Sequence, residues 1–248
     1  MKILFSPSEG KNLTKIISTQ DNFDFLTQLP LPVNVLKENL LRYLDILKED
    51  DNVICKLFGS KNLKSKSILD EMVLSLNIGK TNTQEAINLY QGVAYKALGF
   101  QTLSLDAQKY IFDNVLIFSN LFGMVRAGDK LPFYKYNQNF KHDGFGVFEL
   151  YKKLTPMIDK YLENQEILDL RAEIYIKAYP LKNKHTRIEF FKNQKKISHY
   201  AKYYRGIYLK EMSEKKPLKP ECLKINGLEL VEKKYHNDVL TLSYEIIS

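Results

Sequence analysis

The sequence is poor in the residues that build metal sites and disulfide scaffolds. It has two cysteines, Cys55 and Cys222, which lie in no Cys-x-x-Cys motif and no Cys/His cluster, and its four histidines show no metal-ligand spacing. No apolar run approaches the length of a membrane span, and the apolar residues Ile3, Leu4 and Phe5 are too few for the core of a signal peptide. We therefore expect a cytoplasmic protein that contacts no membrane and binds no metal.

Motifs of the common enzyme classes are also missing. The sequence contains no Gly-x-Ser-x-Gly, no His-Glu-x-x-His and no dinucleotide-binding fingerprint. The turn at residues 6–11 is not a Walker loop, because Phe5 occupies the position where that motif requires a glycine. We expect no cofactor, and the sequence favours a binding protein over an enzyme.

Apolar periodicity predicts strands and helices along a chain of 248 residues, of which 44% are hydrophobic. The predicted helices cover residues 33–49, 65–76, 83–98 with a break near Gly92, a segment opened by Ser104, 147–163 and 196–212. The predicted strands cover residues 3–5, 115–118, 166–170 with a short continuation at 174–176, 187–191 as an exposed or edge strand, and 228–247. No repeat or linker divides the chain. We therefore expect an α/β (α+β) fold, a single compact domain over residues 1–248 with a mixed sheet and surrounding helices.

Positive charge is concentrated in one part of the sequence. The net charge is +8, and the segment from Lys182 to Lys224 holds thirteen Lys and Arg against four Asp and Glu. The rest of the chain is therefore close to neutral, and this segment is expected to attract polyanions. Interleaved with its charges are Tyr200, Tyr203, Tyr204 and Tyr208. Such rings either stack on bases or pack inward, and for a single ring inward packing is the commoner case.

A second candidate for anion binding is the turn at residues 97–104, between two predicted helices. An apolar-Gly-apolar turn centred on Gly99 directs backbone N–H groups at a phosphate, as helix-hairpin-helix units do when they hold a DNA backbone. Lys96 and Lys109 flank this turn. The alternative is a structural connection, since helix-Gly-helix turns are common. From the residues alone, both the helix-hairpin-helix reading and the structural reading of this turn stay open.

Two polar loops follow predicted strands and are candidates for a small-ligand pocket. Residues 6–11 form a small turn with a lysine, which binds an anion in some proteins and is a plain exposed turn in others. Residues 119–146 are glycine-rich, loop-rich and follow a buried strand, where binding sites are common. Asp169 and Arg171 end another predicted strand and are expected at the same edge of the sheet. The predicted pocket residues are Ser8, Glu9, Lys11, Arg126, Asp169 and Arg171.

Five motifs stand in order along nearly the whole chain. They are SPSEGK (6–11), YQGVAYKALGF (90–100), FSNLFGMVRAGDKLPFY (118–134), DLRAEIY (169–175) and ISHYAKYYRG (197–206). Together they resemble the YaaA family of peroxide-stress proteins. One short motif would mean little, whereas five in order with consistent spacing are specific.

This resemblance implies a compact α/β domain of unusual topology, with a positively charged cleft and a helix-hairpin-helix element. It implies binding of double-stranded and structured DNA and no established enzymatic activity. It also implies a part in protection against hydrogen peroxide and in recombinational repair, with recombination-repair proteins as partners. Carried onto this sequence, the cleft receives Lys11, Arg126, Lys202 and Arg205, and Gly99 lies in the hairpin.

The chain departs from the family pattern at two positions. Ala127 stands where an Arg-Pro pair is expected to have its proline, and Lys135 stands where an arginine is expected. The second change replaces a bidentate donor by a point charge. Binding of a DNA backbone tolerates that change better than a finely positioned active site does.

Two hypotheses of function follow. The leading one is a sequence-independent DNA-binding protein of the oxidative stress response that holds the DNA backbone in a basic cleft. Its predicted DNA-binding residues are Lys11, Lys96, Gly99, Lys109, Arg126, Lys195, Lys196, Lys202 and Arg205. The rival is an enzyme that acts on a nucleotide or nucleic acid in the same cleft. A pocket that gathers Lys11, Arg126, Asp169 and Arg171 would favour the enzyme.

Overall fold

A computed structural model describes residues 1–197 and 200–247. At the centre of the molecule lies β1 (Lys2–Phe5), whose apolar residues are almost completely buried. It is flanked by two parallel strands, β3 (Val115–Ser119) and β8 (Ile167–Asp169), which are buried along their whole length. Continuous apolar runs are typical of parallel strands that are covered on both faces. The strands predicted at 3–5, 115–118 and 166–170 are confirmed.

The remaining strands extend this sheet and form two small pairs. They are β2 (Gln84–Glu85), β4 (Gly123–Arg126), β5 (Lys130–Leu131), β6 (Lys141–His142), β7 (Phe145–Gly146), β9 (His185–Lys192), β10 (Lys195–Lys196), β11 (Leu228–His236) and β12 (Val239–Ile246). In the described residues the main sheet has eight strands in the order β11-β12-β9-β8-β1-β3-β4, with β10 beside β9. The inner strands are parallel, whereas β4, β10 and β11 are antiparallel to their neighbours. The mixed sheet is confirmed.

Helices surround this sheet. The nine α-helices of the described residues are α1 (Val33–Ile46), α2 (Asp51–Phe58), α3 (Lys66–Leu76), α4 (Ala86–Leu89), α5 (Val93–Leu98), α6 (Leu105–Asn114), α7 (Val147–Tyr161), α8 (Glu173–Ala178) and α9 (Ala201–Lys215). Four 3-10 turns cover Asp24–Gln28, Ile78–Lys80, Phe100–Thr102 and Pro220–Cys222. One hydrophobic core joins the sheet to the helices, as expected for a single α/β unit. Within the described ranges, no helix has both the length and the apolar character that a membrane crossing demands.

Local sequence signals set several helix ends. The Asp50 carboxylate caps α2, and the Ser104 hydroxyl caps α6, each by accepting a hydrogen bond from a backbone N–H of the first turn. Helices α2 and α5 end at Gly59 (φ 65) and Gly99 (φ 60), because glycine adopts the left-handed conformation without a steric cost. Gly99 is followed by a 3-10 turn and then by α6, so the two helices flanking the predicted hairpin are present. That they form a DNA-binding helix-hairpin-helix element stays a prediction.

The prediction that residues 187–191 form an exposed or edge strand is wrong about the place of this strand in the sheet. β9 lies inside the sheet, with β8 on one side and β12 on the other. Of the alternating charges that suggested an exposed strand, Glu189 has a partner on β10, where the Lys196 ammonium lies 2.6 Å from its carboxylate. The strand continuation predicted at 174–176 is also wrong, because these residues belong to α8.

Two predicted helices differ from the structure at their ends. The segment 83–98 is divided into β2, α4 and α5, with the break at Gly92 (φ 139) where it was expected. The helix predicted at 196–212 begins only at Ala201, because Lys195 and Lys196 form β10. Residues 198 and 199 of the last family motif lie outside the described residues. The loop-rich segment 119–146 also contains β4, which pairs with β3.

Candidate functional site

A cavity of about 300 Å³ opens where the chain leaves the carboxyl ends of β1 and β8. We call this cavity the pocket. The residues that line it are Phe5, Ser6, Pro7, Ser8, Glu9, Gly92, Val93, Ala94, Tyr95, Gln138, Ala172, Tyr175, Lys202 and Arg205. Open α/β sheets bind ligands outside the carboxyl ends of their strands. The pocket is therefore the candidate functional site.

The loop after β1 is held by its neighbours in this pocket. The Ser6 hydroxyl accepts a hydrogen bond from the backbone N–H of Ala172 at 2.7 Å, and the Tyr95 hydroxyl donates to the Ser6 carbonyl at 2.9 Å. Gly92 lets the start of α5 approach the same loop. Its φ is +139°, and a Cβ on it would lie 2.5 Å from the Ser8 hydroxyl oxygen. Glycine is therefore required between the loop and α5.

One wall of the pocket is polar and carries an acid. The Glu9 carboxylate accepts a hydrogen bond from the backbone N–H of Gln138 at 3.1 Å. The Tyr175 hydroxyl lies 2.8 Å from the side-chain oxygen of Asn120 and 3.3 Å from that of Gln138. Burial raises the pKa of Tyr175 well above its usual value, so the hydroxyl stays protonated and donates. These contacts fix the Glu9 carboxylate and the Gln138 amide beside each other.

The opposite wall of the pocket is basic. Lys202 and Arg205 lie three residues apart on α9 and therefore project from neighbouring positions on one face of the helix. Gly206 brings this helix close to α5, because a Cβ at this position would lie 2.1 Å from the Ala94 carbonyl oxygen. The contact between α5 and α9 thus places both cations at the pocket.

The Arg205 guanidinium has unused hydrogen-bonding capacity. Its Nε is buried and has no partner among the described residues, and burial lowers the pKa of the guanidinium. In the described part of the chain, neither Arg205 nor Lys202 has a carboxylate within 4.0 Å. Buried donors in folded proteins are almost always paired. An unpaired guanidinium that lines a cavity is therefore placed to bind an acceptor on a ligand.

A second depression lies on the other side of α5. This groove has a volume of about 560 Å³ and includes Lys96 and Gly99. Its carboxamide side chains are Asn12, Gln84, Asn88, Gln91 and Gln101. Tyr95 lines both the groove and the pocket. The two depressions therefore adjoin each other across α5.

Four of the predicted DNA-binding residues meet along α5. Lys202 and Arg205 lie in the pocket, and Lys96 and Gly99 lie in the groove. Three others lie on nearby but separate elements and are exposed, namely Lys109, Lys195 and Lys196. Of these, Lys109 is paired with Asp113 at 2.8 Å and Lys196 is paired with Glu189.

Asp169 and Arg171 form an ion pair behind the pocket. Arg171 donates two parallel hydrogen bonds to the Asp169 carboxylate, at 2.9 and 2.8 Å, and both side chains are fully buried. A further guanidinium nitrogen donates to the carbonyls of Tyr175 and Tyr179. Burial alone would raise the pKa of Asp169, but the charge and hydrogen bonds of Arg171 outweigh it, so that this pKa is lowered. The pair holds the end of β8 to α8 and does not line the pocket.

Lys11 is buried beneath the loop after β1. Its ammonium donates to the carbonyls of Ser8 and Glu9, at 3.1 and 3.4 Å, and lies 4.0 Å from the centroid of the Tyr134 ring. Burial lowers the pKa of Lys11 to about 7, and the positive charge of Lys135 acts in the same direction. Lys11 supports the pocket loop from below, and its role in DNA binding stays a prediction.

The depressed pKa of Lys11 predicts a pH-dependent stability. The unfolded chain binds more protons at this lysine than the folded one between about pH 7 and pH 10.5. Stability from this group therefore rises with pH in that window. Between about pH 7 and pH 10, the free energy of unfolding of the wild type should rise by about 3 kcal/mol more than that of the Lys11→Met variant. Urea unfolding at several pH values measures this difference. A constant difference would show that folding does not lower the pKa of Lys11.

Arg126 does not lie at the carboxyl ends of the parallel strands, where the pocket opens. It pairs in register with Leu116, three residues before Ser119 at the carboxyl end of β3. Its guanidinium donates to the Asp129 carboxylate at 2.8 Å and to the Gln28 carbonyl. The structure therefore does not gather Lys11, Arg126, Asp169 and Arg171 in one pocket, which is the arrangement that the enzyme hypothesis needs. Of the predicted pocket residues, only Ser8 and Glu9 line the cavity.

Several residues of the pocket were not predicted from the sequence. Tyr95 and Tyr175 lie inside the motifs at 90–100 and 169–175, so the motifs carried a signal for them. Gln138 follows the third motif and lies 129 residues from Glu9, which it contacts. No local pattern identifies such a residue.

The four tyrosines of the basic segment divide into two groups. Tyr200 and Tyr203 are exposed, at 68% and 44% of their surfaces. Tyr208 is fully buried, and Tyr204 packs against the ring of Phe190. Inward packing therefore applies to two of these rings, whereas the exposed pair is available to a ligand.

Among residues 1–197 and 200–247, no group of three His, Cys, Asp or Glu side chains is placed to hold a metal ion.

Together the fold and the pocket define a class: a single mixed α/β unit with a charged pocket at the carboxyl ends of its parallel strands. The chain belongs to the peroxide stress protein YaaA family, whose model matches residues 1–233. It is similar to Uncharacterized protein Cj0984 of Campylobacter jejuni, at 45% identity over 84% of this chain and 83% of that protein. A UPF0246 protein of Fusobacterium nucleatum is 28% identical over 84% of each chain. A UPF0246 protein of Psychromonas ingrahamii is 25% identical over 75% of this chain and 81% of that one.

Proposed function

We propose that this member of the peroxide stress family binds DNA without sequence preference, and that the backbone of one strand crosses α5. The observation that carries the proposal is the placement of cations on both sides of this helix. Lys202 and Arg205 lie on the pocket side, and Lys96 lies on the groove side. Phosphates of a strand recur at regular intervals, so a surface with cations on two sides of one short helix suits a backbone better than a single small anion.

The availability of these charges supports the same proposal. Lys96, Lys202 and Arg205 have no carboxylate within 4.0 Å among the described residues. Other surface lysines, such as Lys109 and Lys153, are already paired. A cation without an intramolecular partner loses less when it binds a phosphate, because no ion pair has to be broken.

The chemistry of the surroundings favours backbone binding over base readout. The carboxamides of the groove donate and accept hydrogen bonds with one another, as Gln101 and Asn88 do at 2.6 Å. Exposed Tyr200 and Tyr203 lie at the start of α9, and rings of this kind stack on any base. Neither feature selects a sequence. The part in peroxide stress would then be the protection or repair of DNA.

A double substitution tests this proposal. Lys202→Ala with Arg205→Ala removes two charge-assisted contacts of about 1.5 kcal/mol each, so the affinity for a short duplex should fall about a hundredfold. The loss should be equal for unrelated sequences. The slope of log affinity against log salt should become shallower by about two, because two fewer counterions are released. Fluorescence anisotropy between about 50 and 200 mM salt measures both quantities.

The matched control is Lys152→Ala with Lys160→Ala, which removes the same charge from exposed positions of α7. This control should keep nearly the affinity of the wild type. An equal loss in both double variants would mean that only the overall charge matters. An affinity of the wild type that does not change with salt would contradict backbone binding.

A further inference from the structure

The pocket has a charge pattern that backbone binding alone does not require. Two cations, Lys202 and Arg205, line one wall, and the carboxylate of Glu9 lines another. In the described residues neither cation lies within 4.0 Å of a carboxylate, so the pocket keeps its positive and negative groups apart. Opposite charges in one cavity attract each other unless the fold separates them. A ligand with an anionic end and a hydrogen-donating end fits between them.

Each group is held in place by the fold. The Glu9 carboxylate uses one oxygen to accept from the backbone of Gln138, and this leaves its other oxygen for a ligand. The Gln138 side-chain oxygen lies near the Tyr175 hydroxyl, so its amide nitrogen remains to donate. The buried Nε of Arg205 has no partner in the part of the chain that the structure describes. Fixed and unsatisfied groups of this kind are typical of binding sites.

The dimensions restrict the ligand further. A volume of about 300 Å³ lies at the small end of ligand sites and holds roughly one base with its sugar and phosphate. Arginine and lysine together are suited to a phosphate, because the guanidinium binds two oxygens and the ammonium adds a point charge. A carboxylate accepts hydrogen bonds from exocyclic amino groups of bases. Apolar surface for the base and sugar comes from Val93, Ala94 and Ala172.

We propose that the pocket binds one nucleotide unit, with its phosphate between Lys202 and Arg205 and an amino-bearing base on the Glu9 carboxylate. The unit is either a free nucleotide or an unpaired nucleotide of a bound DNA strand, since both have the same chemistry. The proposal rests on the proposed function and deepens it, because a strand that crosses α5 passes the mouth of the pocket. Adenine, cytosine and guanine carry the required amino group, whereas thymine does not.

Calorimetric titration with dAMP, dCMP, dGMP, dTMP and deoxyribose 5-phosphate tests the free ligand. We expect at least one amino-bearing nucleotide to bind about tenfold more tightly than dTMP and the sugar phosphate. Glu9→Gln should reduce or invert this preference, because an amide also donates to the carbonyls of thymine. The control Glu163→Gln changes an exposed carboxylate that does not line the pocket and should leave the preference unchanged. Equal binding of all five probes, or a preference that survives Glu9→Gln, would overturn the proposal.

Duplexes with one unpaired nucleotide test the strand-borne ligand. A duplex with an unpaired adenine, cytosine or guanine should bind more tightly than one with an unpaired thymine, and Glu9→Gln should remove the difference. A fully paired duplex reports on backbone binding alone. If it binds with a steep salt dependence but neither the mononucleotides nor the unpaired bases show a preference, the nucleotide pocket is refuted and the DNA-binding proposal stands. If mononucleotides bind with the expected preference while no duplex binds, the DNA-binding proposal fails and the pocket assignment stands.

Discussion

Asp169→Ala should lower the free energy of unfolding by about 3–5 kcal/mol. The variant leaves the Arg171 guanidinium fully buried without its carboxylate, and the two parallel hydrogen bonds of 2.9 and 2.8 Å are lost. The carbonyls of Tyr175 and Tyr179 remain as partners, but they carry no charge. Urea unfolding followed by circular dichroism measures the loss.

A second variant distinguishes the loss of the whole ion pair from the cost of leaving one buried charge without a partner. Asp169→Leu with Arg171→Met removes both charges and should cost less than Asp169→Ala, because no buried charge is left without a partner. The exposed pair Lys177 and Glu173 provides the comparison, since Lys177→Ala should change stability by about 1 kcal/mol or less. If Asp169→Ala costs no more than Lys177→Ala, the guanidinium is not held in the interior as described.

Gly206→Ala should destabilise the fold by about 1–3 kcal/mol and also abolish the proposed DNA binding. Alanine normally improves a helix interior by about 1 kcal/mol relative to glycine. Here the added Cβ would lie 2.1 Å from the Ala94 carbonyl oxygen and 2.9 Å from the Ala97 Cβ, so α9 has to move away from α5. That movement carries Lys202 and Arg205 away from the pocket.

The control for this variant is Glu214→Ala, at an exposed position of the same helix. It should change stability by about 0.5 kcal/mol or less and leave duplex binding intact. Thermal unfolding and fluorescence anisotropy are measured on both variants. A Gly206→Ala protein that is more stable than the wild type would show that the two helices are not in close contact.

The parts of the fold that the sequence predicted are those with continuous or periodic apolar patterns. Residues 3–5 and 115–118 carry buried strands, and 33–46 and 147–161 carry long helices with one apolar face. The pattern failed at 187–191, where alternating charges suggest solvent. There Glu189 pairs with Lys196 on a neighbouring strand, and a sequence does not reveal such a pairing before the fold is known.

The site was predicted in part for a similar reason. Lys202 and Arg205 stand in a motif near the end of the chain, and Glu9 stands in one near its beginning. Their convergence depends on Gly92 and Gly206, which allow two close backbone approaches. Gln138 contributes through its backbone N–H, a group that every non-proline residue has. Side-chain chemistry in the sequence therefore indicated the charges of the pocket but not the groups that orient them.

The central position of β1 has a consequence for biosynthesis. The ribosome makes residues 2–5 long before the strands that pair with them, which begin at Val115 and Ile167. Contacts between residues so far apart in sequence form slowly, because a long loop must close before they are made. The apolar strand Ile3, Leu4 and Phe5 therefore remains without β3 until Ser119 has been made and without β8 until Asp169 has been made. Growing chains of this protein are suited to protection by chaperones until β8 has been synthesised.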